Sequence, residues 1–447
     1  MAHLTEITGQ VIRPNDTDYD EARTVFYGNF DARPELIIRP ADADDVARVV
    51  GEAARTGSEL AVRAGGHSVA GHSTTEGGLL LDLRSLNSID IDPGQRVAWV
   101  DAGLTAGEYT VAAAKHGLAT GFGDTSTVGV AGLTLGGGVG LLSRRYGLTV
   151  DSLLAADVVT ADGRVLRVDQ DHEPDLFWAI RGGGGNFGVV TRLGFRLQEV
   201  DRVTGGMLIL PATAEVVESV VAEAFAAPDE LTVIANVVNC PPLPFLPQEL
   251  HGQMVVILAL AHCGTPEDGE RVVARFRGLA TPLADMVRVM SYPELFPPVP
   301  DYHPTAIGRN LFVDKVDHHL AGMVVETLTA SDAEMRATQL RVLGGAVSRV
   351  PDDATAYAHR DQQIMVNLGV MYHGQEDRAA RSEWLDRFAA SVNAGTNASY
   401  VNFLNDEGPD RVRDAYPGAT WDRLVAVKRQ YDPSNVFRRN QNIPPTG

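Results

Sequence analysis

At 447 residues, with 44 % hydrophobic and 21 % charged side chains, the chain has room for more than one ordinary core and a globular composition. A formal net charge of −20 argues against nucleic acid or an anionic membrane as a main partner, because both reward a basic surface. Cys240 and Cys263 stand in separate apolar segments without metal-ligand spacing, so neither a disulfide framework nor a zinc site is indicated, and both are expected to be buried small hydrophobes.

The N-terminal stretch Met1 to Glu6 has no basic segment followed by an apolar one, and no apolar run is long enough to span a bilayer. A cytoplasmic location is expected. From Pro40 an acidic turn opens a helix with Val46, Val49 and Val50 on one face, its carboxylates suiting the positive end of the helix dipole. Residues 60–62 and 79–83 read as buried strands. Thr105 and Glu108 have capping-box spacing for a helix through Ala114, stopped by Gly117. Residues 157–160 and 165–168 flank Ala161-Asp162-Gly163-Arg164, a hairpin signal. Beyond residue 200, strands are expected at 207–210, 231–238, 254–263 and 364–372, and helices at 214–225, 269–276, 320–328 and 378–392. The proline-rich stretch 293–304 reads as a long surface loop.

Three glycine-rich segments punctuate the first half. Arg63-Ala64-Gly65-Gly66-His67-Ser68, continuing to Gly71 and His72, follows a strand-like run and places an imidazole on a turn whose bare backbone can approach an anion closely. The second segment runs from Gly123 to Gly140 and the third from Arg181 to Thr191. A dinucleotide fingerprint fails on spacing: Leu141 or Ser143 falls where the third glycine of G-x-G-x-x-G belongs. A G-K-[ST] phosphate loop is absent too, so phosphoryl transfer is unsupported.

These segments, in this order, resemble the flavin-binding half of the berberine bridge enzyme-like oxidases, a branch of the vanillyl-alcohol oxidase superfamily with a PCMH-type FAD-binding domain that includes 6-hydroxynicotine oxidase-like enzymes. Tyr400-Val401-Asn402-Phe403, Arg423-Leu424 with Lys428, Tyr431 to Phe437, and Asn440-Gln441-Asn442-Ile443 are similar to the family's C-terminal signature. The resemblance implies an α+β fold: a two-part FAD-binding domain, residues 1–198 with a returning segment 406–447, and a substrate domain, residues 199–405, with an antiparallel sheet.

It further implies FAD attached covalently through His67. Cofactor contacts fall on Arg63, Ala64, Gly65, Gly66, Ser68, Gly71 and His72, on Thr127, Val128, Gly129, Gly132, Leu133, Gly138, Val139 and Gly140, and on Gly188, Val190, Asn440 and Asn442. Relatives that attach the flavin twice use a cysteine near the position of Thr125. No cysteine lies before Cys240, so a single bond is expected. A valine matching Val128 goes with oxidase behaviour. Tyr400 is implied as general base or as the hydrogen bond that orients substrate, with Asn402 on the same face if the segment is extended. Tyr357, His359 and Arg360 suit a structural hydrogen-bond network, and His373 a strand end without an evident partner.

The implied activity is hydride removal from a carbon bearing oxygen or nitrogen in a small molecule, with oxygen reduced to hydrogen peroxide. The alternatives are a flavin dehydrogenase with another acceptor and a non-catalytic flavin-binding protein. No metal is expected, and substrate identity and oligomeric state stay open.

Overall fold

The computed structural model describes residues 6–242, 246–296, 302–393 and 395–446. The fold is mixed α+β and is built on three main sheets. The first orders strands Gln10–Ile12, Leu36–Arg39, Leu79–Asp82 and Leu60–Arg63, with the last three parallel. Parallel neighbours need a crossover, and helix Ala43–Thr56 supplies one. Asp42 caps it by accepting from Asp45 N–H at 3.0 Å, Val46, Val49 and Val50 are buried, and Gly57 ends it at φ 71°.

The second sheet is antiparallel, in the order Ile89–Asp92, Val97–Asp101, Val189–Arg196, Leu153–Val159 and Val165–Asp169. Its last two strands form the expected hairpin. The capping box at Thr105 and Glu108 forms as expected and starts helix Ala106–Ala114.

The third sheet is large and antiparallel. It pairs Arg202–Pro211, Met254–His262, Leu231–Asn239, Arg336–Val342, Ile364–Met371 and Ala306–Val313 in that order, with short strands against the outer edge of Arg202–Pro211. Its helices are Ala214–Ala226, Pro266–Arg277, His318–Ala330 and Gly374–Val392. The last of these and Pro266–Arg277 begin before the expected starts, because their first turns are polar and carry no apolar periodicity. Strands Ala306–Val313 and Arg336–Val342 are not among the expected ones, because Arg309, Asn310, Thr338 and Gln339 interrupt their apolar pattern. Of the expected loop at 293–304, Tyr292–Leu295 is a short helical turn, while residues 297–301 lie outside the described residues, as do residues 1–5.

One apolar core gathers Leu36 to Leu197 with Val401, Leu424, Tyr431, Phe437 and Ile443, and a second lies between Leu208 and Val392. The chain's last segment therefore packs with its first half. Lys428 fixes it there: fully buried, its ammonium donates to Asp432 at 2.6 Å, to the Asn186 carbonyl at 2.8 Å and to the Phe437 carbonyl at 2.9 Å. Cys240 is buried and Cys263 partly so, and both thiols are free. Burial pushes Cys263 up to about 12. Among the described residues no helix is long and apolar enough to cross a membrane.

Candidate active site

A cavity of about 480 Å³ opens between the glycine-rich segments and the large sheet. Strand Leu60–Arg63 delivers the turn that follows it, and Ala64, Gly65, Gly66, His67, Ser68 and His72 line the wall. This turn abuts the second glycine segment backbone to backbone: a Cβ on Gly65 would lie 2.2 Å from Gly129 N, and one on Gly129 would lie 2.3 Å from Gly65 N. Only glycine permits that approach. Val128, Gly129, Gly132, Leu133 and Val139 line the adjoining wall, and Gly188, Val190 and Asn440 line another.

Other residues singled out in the sequence stand behind the wall. Arg63 is buried in an ion pair with Asp82 at 2.8 Å and also donates to the carbonyls of Thr24 and Ala22. Gly71, at φ 73°, packs against Phe30, and Gly138 and Gly140 pack against Thr149 and the Phe122 carbonyl. Thr127 reaches the cavity through His67, and the Oδ1 atoms of Asn440 and Asn442 are buried without hydrogen-bond partners.

His67 is held on two sides. Its Nε2 is 2.9 Å from the Thr127 hydroxyl, and Phe26 stacks on the ring at 4.0 Å between centroids. Burial lowers its pKa to about 4, so the imidazole is neutral at pH 7. His72 is lowered to about 4 by burial and by the nearby Arg439 charge.

Tyr400 and Asn402 meet, although not by strand alternation. Residues Val401–Phe403 form one 3-10 turn, which brings the Asn402 amide to 2.9 Å from both the Tyr400 hydroxyl and the Leu133 carbonyl, to which it donates. Gly136 makes room, since a Cβ there would lie 2.0 Å from Asn402 Oδ1. The Tyr400 oxygen also accepts from Gly138 N–H at 2.9 Å. Burial raises the Tyr400 pKa, opposed by these donors and by the Arg341 charge. Tyr357 packs edge-on to Tyr400, and burial raises its pKa too. Arg360 forms the expected network with Asp151 and Thr355, each at 2.8 Å, but the Tyr357 hydroxyl is buried without a partner and stays outside it. His373 lies two residues past strand Ile364–Met371, at the N-cap of helix Gly374–Val392, and it has a partner: its Nε2 lies 3.0 Å from Glu334.

Several residues of the site escape sequence reasoning. Phe26 lies far from any motif. Asn186 ties the third glycine segment to the C-terminal one, donating to the carbonyls of Gly183 and Gln441 and accepting from Ile443 N–H. Arg341 spans from the large sheet to Asp124 at 2.7 Å, and Asn367 lines the cavity from the next strand. Only the polar interruptions of those two strands hinted at a cavity wall.

Family models described as "FAD binding domain" and "Berberine and berberine like" match residues 34–169 and 399–444. The chain is 34 % identical to (R)-6-hydroxynicotine oxidase of Paenarthrobacter nicotinovorans, over 100 % of this chain and 99 % of that one. It is 26 % identical to berberine bridge enzyme-like C-2 of Nicotiana tabacum, over 96 % of this chain and 88 % of that one. Among solved structures, 6-hydroxy-D-nicotine oxidase from Arthrobacter nicotinovorans superposes with a TM-score of 0.88 at 30 % identity, covering 98 % of both chains.

Proposed function

The chain belongs to the berberine bridge enzyme-like family of FAD-linked oxidoreductases, and on that premise we propose an oxidase that takes a hydride from a carbon bearing oxygen or nitrogen in a small organic substrate, with oxygen as acceptor and hydrogen peroxide as product. The observation that carries this reading is one cavity joining the glycine cradle around His67 to Tyr400 and the large sheet. The residues fit a flavin nucleotide. Gly132 and Gly185 line the cavity with open space where a Cβ would stand, and Asn440 offers a buried, unpaired carbonyl. Bound FAD supplies the two-electron chemistry. We assign its binding to those contacts proposed from the sequence that line the cavity, within residues 1–198 and 406–447, with the remaining ones shaping the wall from behind, and substrate binding to residues 199–405.

We propose a single covalent attachment, through His67. Thr127 at Nε2 leaves Nδ1 as the free nitrogen, the Phe26 stack fixes the ring, and a neutral imidazole keeps the lone pair that bond formation needs. Thr125 lines the cavity where a second attachment would require cysteine, and neither Cys240 nor Cys263 is among the lining residues. Tyr400 is proposed to act on the substrate, with Asn402 holding its oxygen. Because burial keeps the phenol protonated and two donors occupy its lone pairs, a hydrogen bond that orients substrate is favoured over a resident phenolate base.

Substrate and oxygen are the proposed partners; the acidic balance supports no role for nucleic acid or an anionic membrane surface. The cytoplasm is the proposed location, where the two free thiols stay reduced. The test is anaerobic mixing with candidate substrates, followed by air and a peroxide assay. Flavin that bleaches and then yields no peroxide would favour a dehydrogenase; flavin that no substrate bleaches would favour a non-catalytic binder.

A further inference from the structure

A row of amide side chains crosses the large sheet, and one member of it, Asn367, lines the cavity. Register sets Asn310, Asn367, Gln339 and Asn236 directly opposite one another on four neighbouring strands, so their side chains share a face. Three of them have partners. Gln339 accepts from Arg341 Nε at 2.7 Å and donates to Asn236 Oδ1 at 2.9 Å, and Asn310 Oδ1 accepts from Tyr400 N–H at 2.6 Å. Asn367 lines the cavity, and its carboxamide has no hydrogen-bond partner among the described residues. Beside it the paired Gly308 and Gly369 withhold side chains, and a Cβ on Gly369 would meet nothing within 4 Å.

Free charge is missing from this wall. Among the described lining residues, Asp124, Arg341 and Arg439 are the charged ones. Asp124 and Arg341 neutralise each other at 2.7 Å, and Arg341 also donates to the Val139 carbonyl at 3.0 Å. Arg439 is held by the carbonyls of Thr74 and Gly71, with Glu59 at 3.7 Å, on the side of the His67 turn. A cationic amine or a carboxylate entering here would lose hydration without gaining a counter-ion, which is costly. A hydroxyl, by contrast, can both donate to and accept from the free Asn367 amide.

Resting on the oxidase reading, we infer that the substrate is an uncharged, hydroxyl-bearing molecule oxidised at a carbon bearing oxygen, recognised by Asn367, with the Gly308 and Gly369 notch admitting its bulk. The carbon loses a hydride and its hydroxyl a proton, so the alcohol becomes a carbonyl. Bound FAD would supply the two-electron acceptor, with oxygen as final oxidant taking the two electrons and two protons to give hydrogen peroxide.

The test is anaerobic bleaching of the holoenzyme's flavin at neutral pH. D-glucose, cellobiose and benzyl alcohol serve as neutral probes, 6-hydroxynicotine as a cationic probe and D-lactate as an anionic one. A neutral probe should bleach the flavin at least about tenfold faster than either charged probe. Asn367→Leu, checked for folding by its flavin content, should raise the half-saturating concentration about tenfold, the size expected for a lost hydrogen bond. Gly369→Val has space in the cavity, so it should slow cellobiose more than glucose. Faster bleaching by a charged probe, no bleaching by any neutral one, or an unchanged Asn367→Leu variant overturns the inference. Reoxidation of photoreduced flavin by oxygen reads the oxidase assignment separately, so the two can fail independently.

Discussion

The Nε2 atom of His67 stands 2.9 Å from the hydroxyl of Thr127, so a residue of the second glycine segment controls the ring nitrogen of the first. In the tautomer whose Nε2 donates to Thr127, the lone pair is on Nδ1. Acid denaturation of the purified protein should leave yellow colour in the pellet, with the adduct mapping to His67. His67→Ala should release FAD into the supernatant, and Thr127→Val should slow attachment without abolishing it. Free FAD from the unaltered protein would contradict the covalent link.

Tyr400→Phe removes one oxygen and little volume, but it strands the Gly138 N–H and the Asn402 amide, both of which donate to that oxygen at 2.9 Å. A buried donor left unpaired costs about 1–3 kcal/mol, so the melting temperature should fall measurably while flavin is retained. Loss of a group that takes or directs a proton should slow the reductive half-reaction about 10²- to 10⁴-fold. A wild-type rate of flavin reduction would reduce Tyr400 to a packing residue.

Lys428→Met should be severely destabilising, because Asp432 is as fully buried as the ammonium it faces. Breaking one half of such a pair costs about 3–5 kcal/mol, and adding Asp432→Leu should recover part of it. Thermal melts of the single and double variants check this. The same variants should hold FAD less well, since Lys428 also pins Asn186 beside the cavity.

Two half-buried histidines and one buried one set an acid limit on stability. His67, His72 and His359 are each held at about 4, mainly by burial, against an ordinary value of 6.5. As pH falls through 6.5 the unfolded chain takes up protons that the folded chain refuses, so stability declines between 6.5 and 4 and is insensitive to these groups at higher pH. For any one group, a tenfold difference in proton affinity between the folded and unfolded chain is worth about 1.4 kcal/mol. Melting temperatures in matched buffers across that window should fall steadily with pH, and His359→Gln should flatten the slope; a constant melting temperature would contradict this.

Much of the site was legible because backbone chemistry leaves a mark in sequence. Gly65 and Gly129 are glycines because their backbones touch, and a histidine on such a turn stands out. The single-residue features were not legible. Phe26 reaches His67 from a segment with no pattern of its own, and Asn367 gains its meaning from strand register, which places it between Asn310 and Gln339. Strands Ala306–Val313 and Arg336–Val342 were hidden because Arg309, Asn310, Thr338 and Gln339 break the apolar alternation that marks a strand. Tyr400 and Asn402 converge through a helical turn, which residue spacing alone does not distinguish from an extended segment.

Electron transfer from this flavoprotein to oxygen is tested most directly, and without knowledge of the substrate, by stopped-flow mixing of photoreduced holoenzyme with aerated buffer. Val128 lines the cavity with a small side chain, so the flavin should reoxidise rapidly with one hydrogen peroxide per flavin, and Val128→Leu should slow that step. Slow reoxidation of the unaltered protein, unchanged by Val128→Leu, would contradict the oxidase assignment.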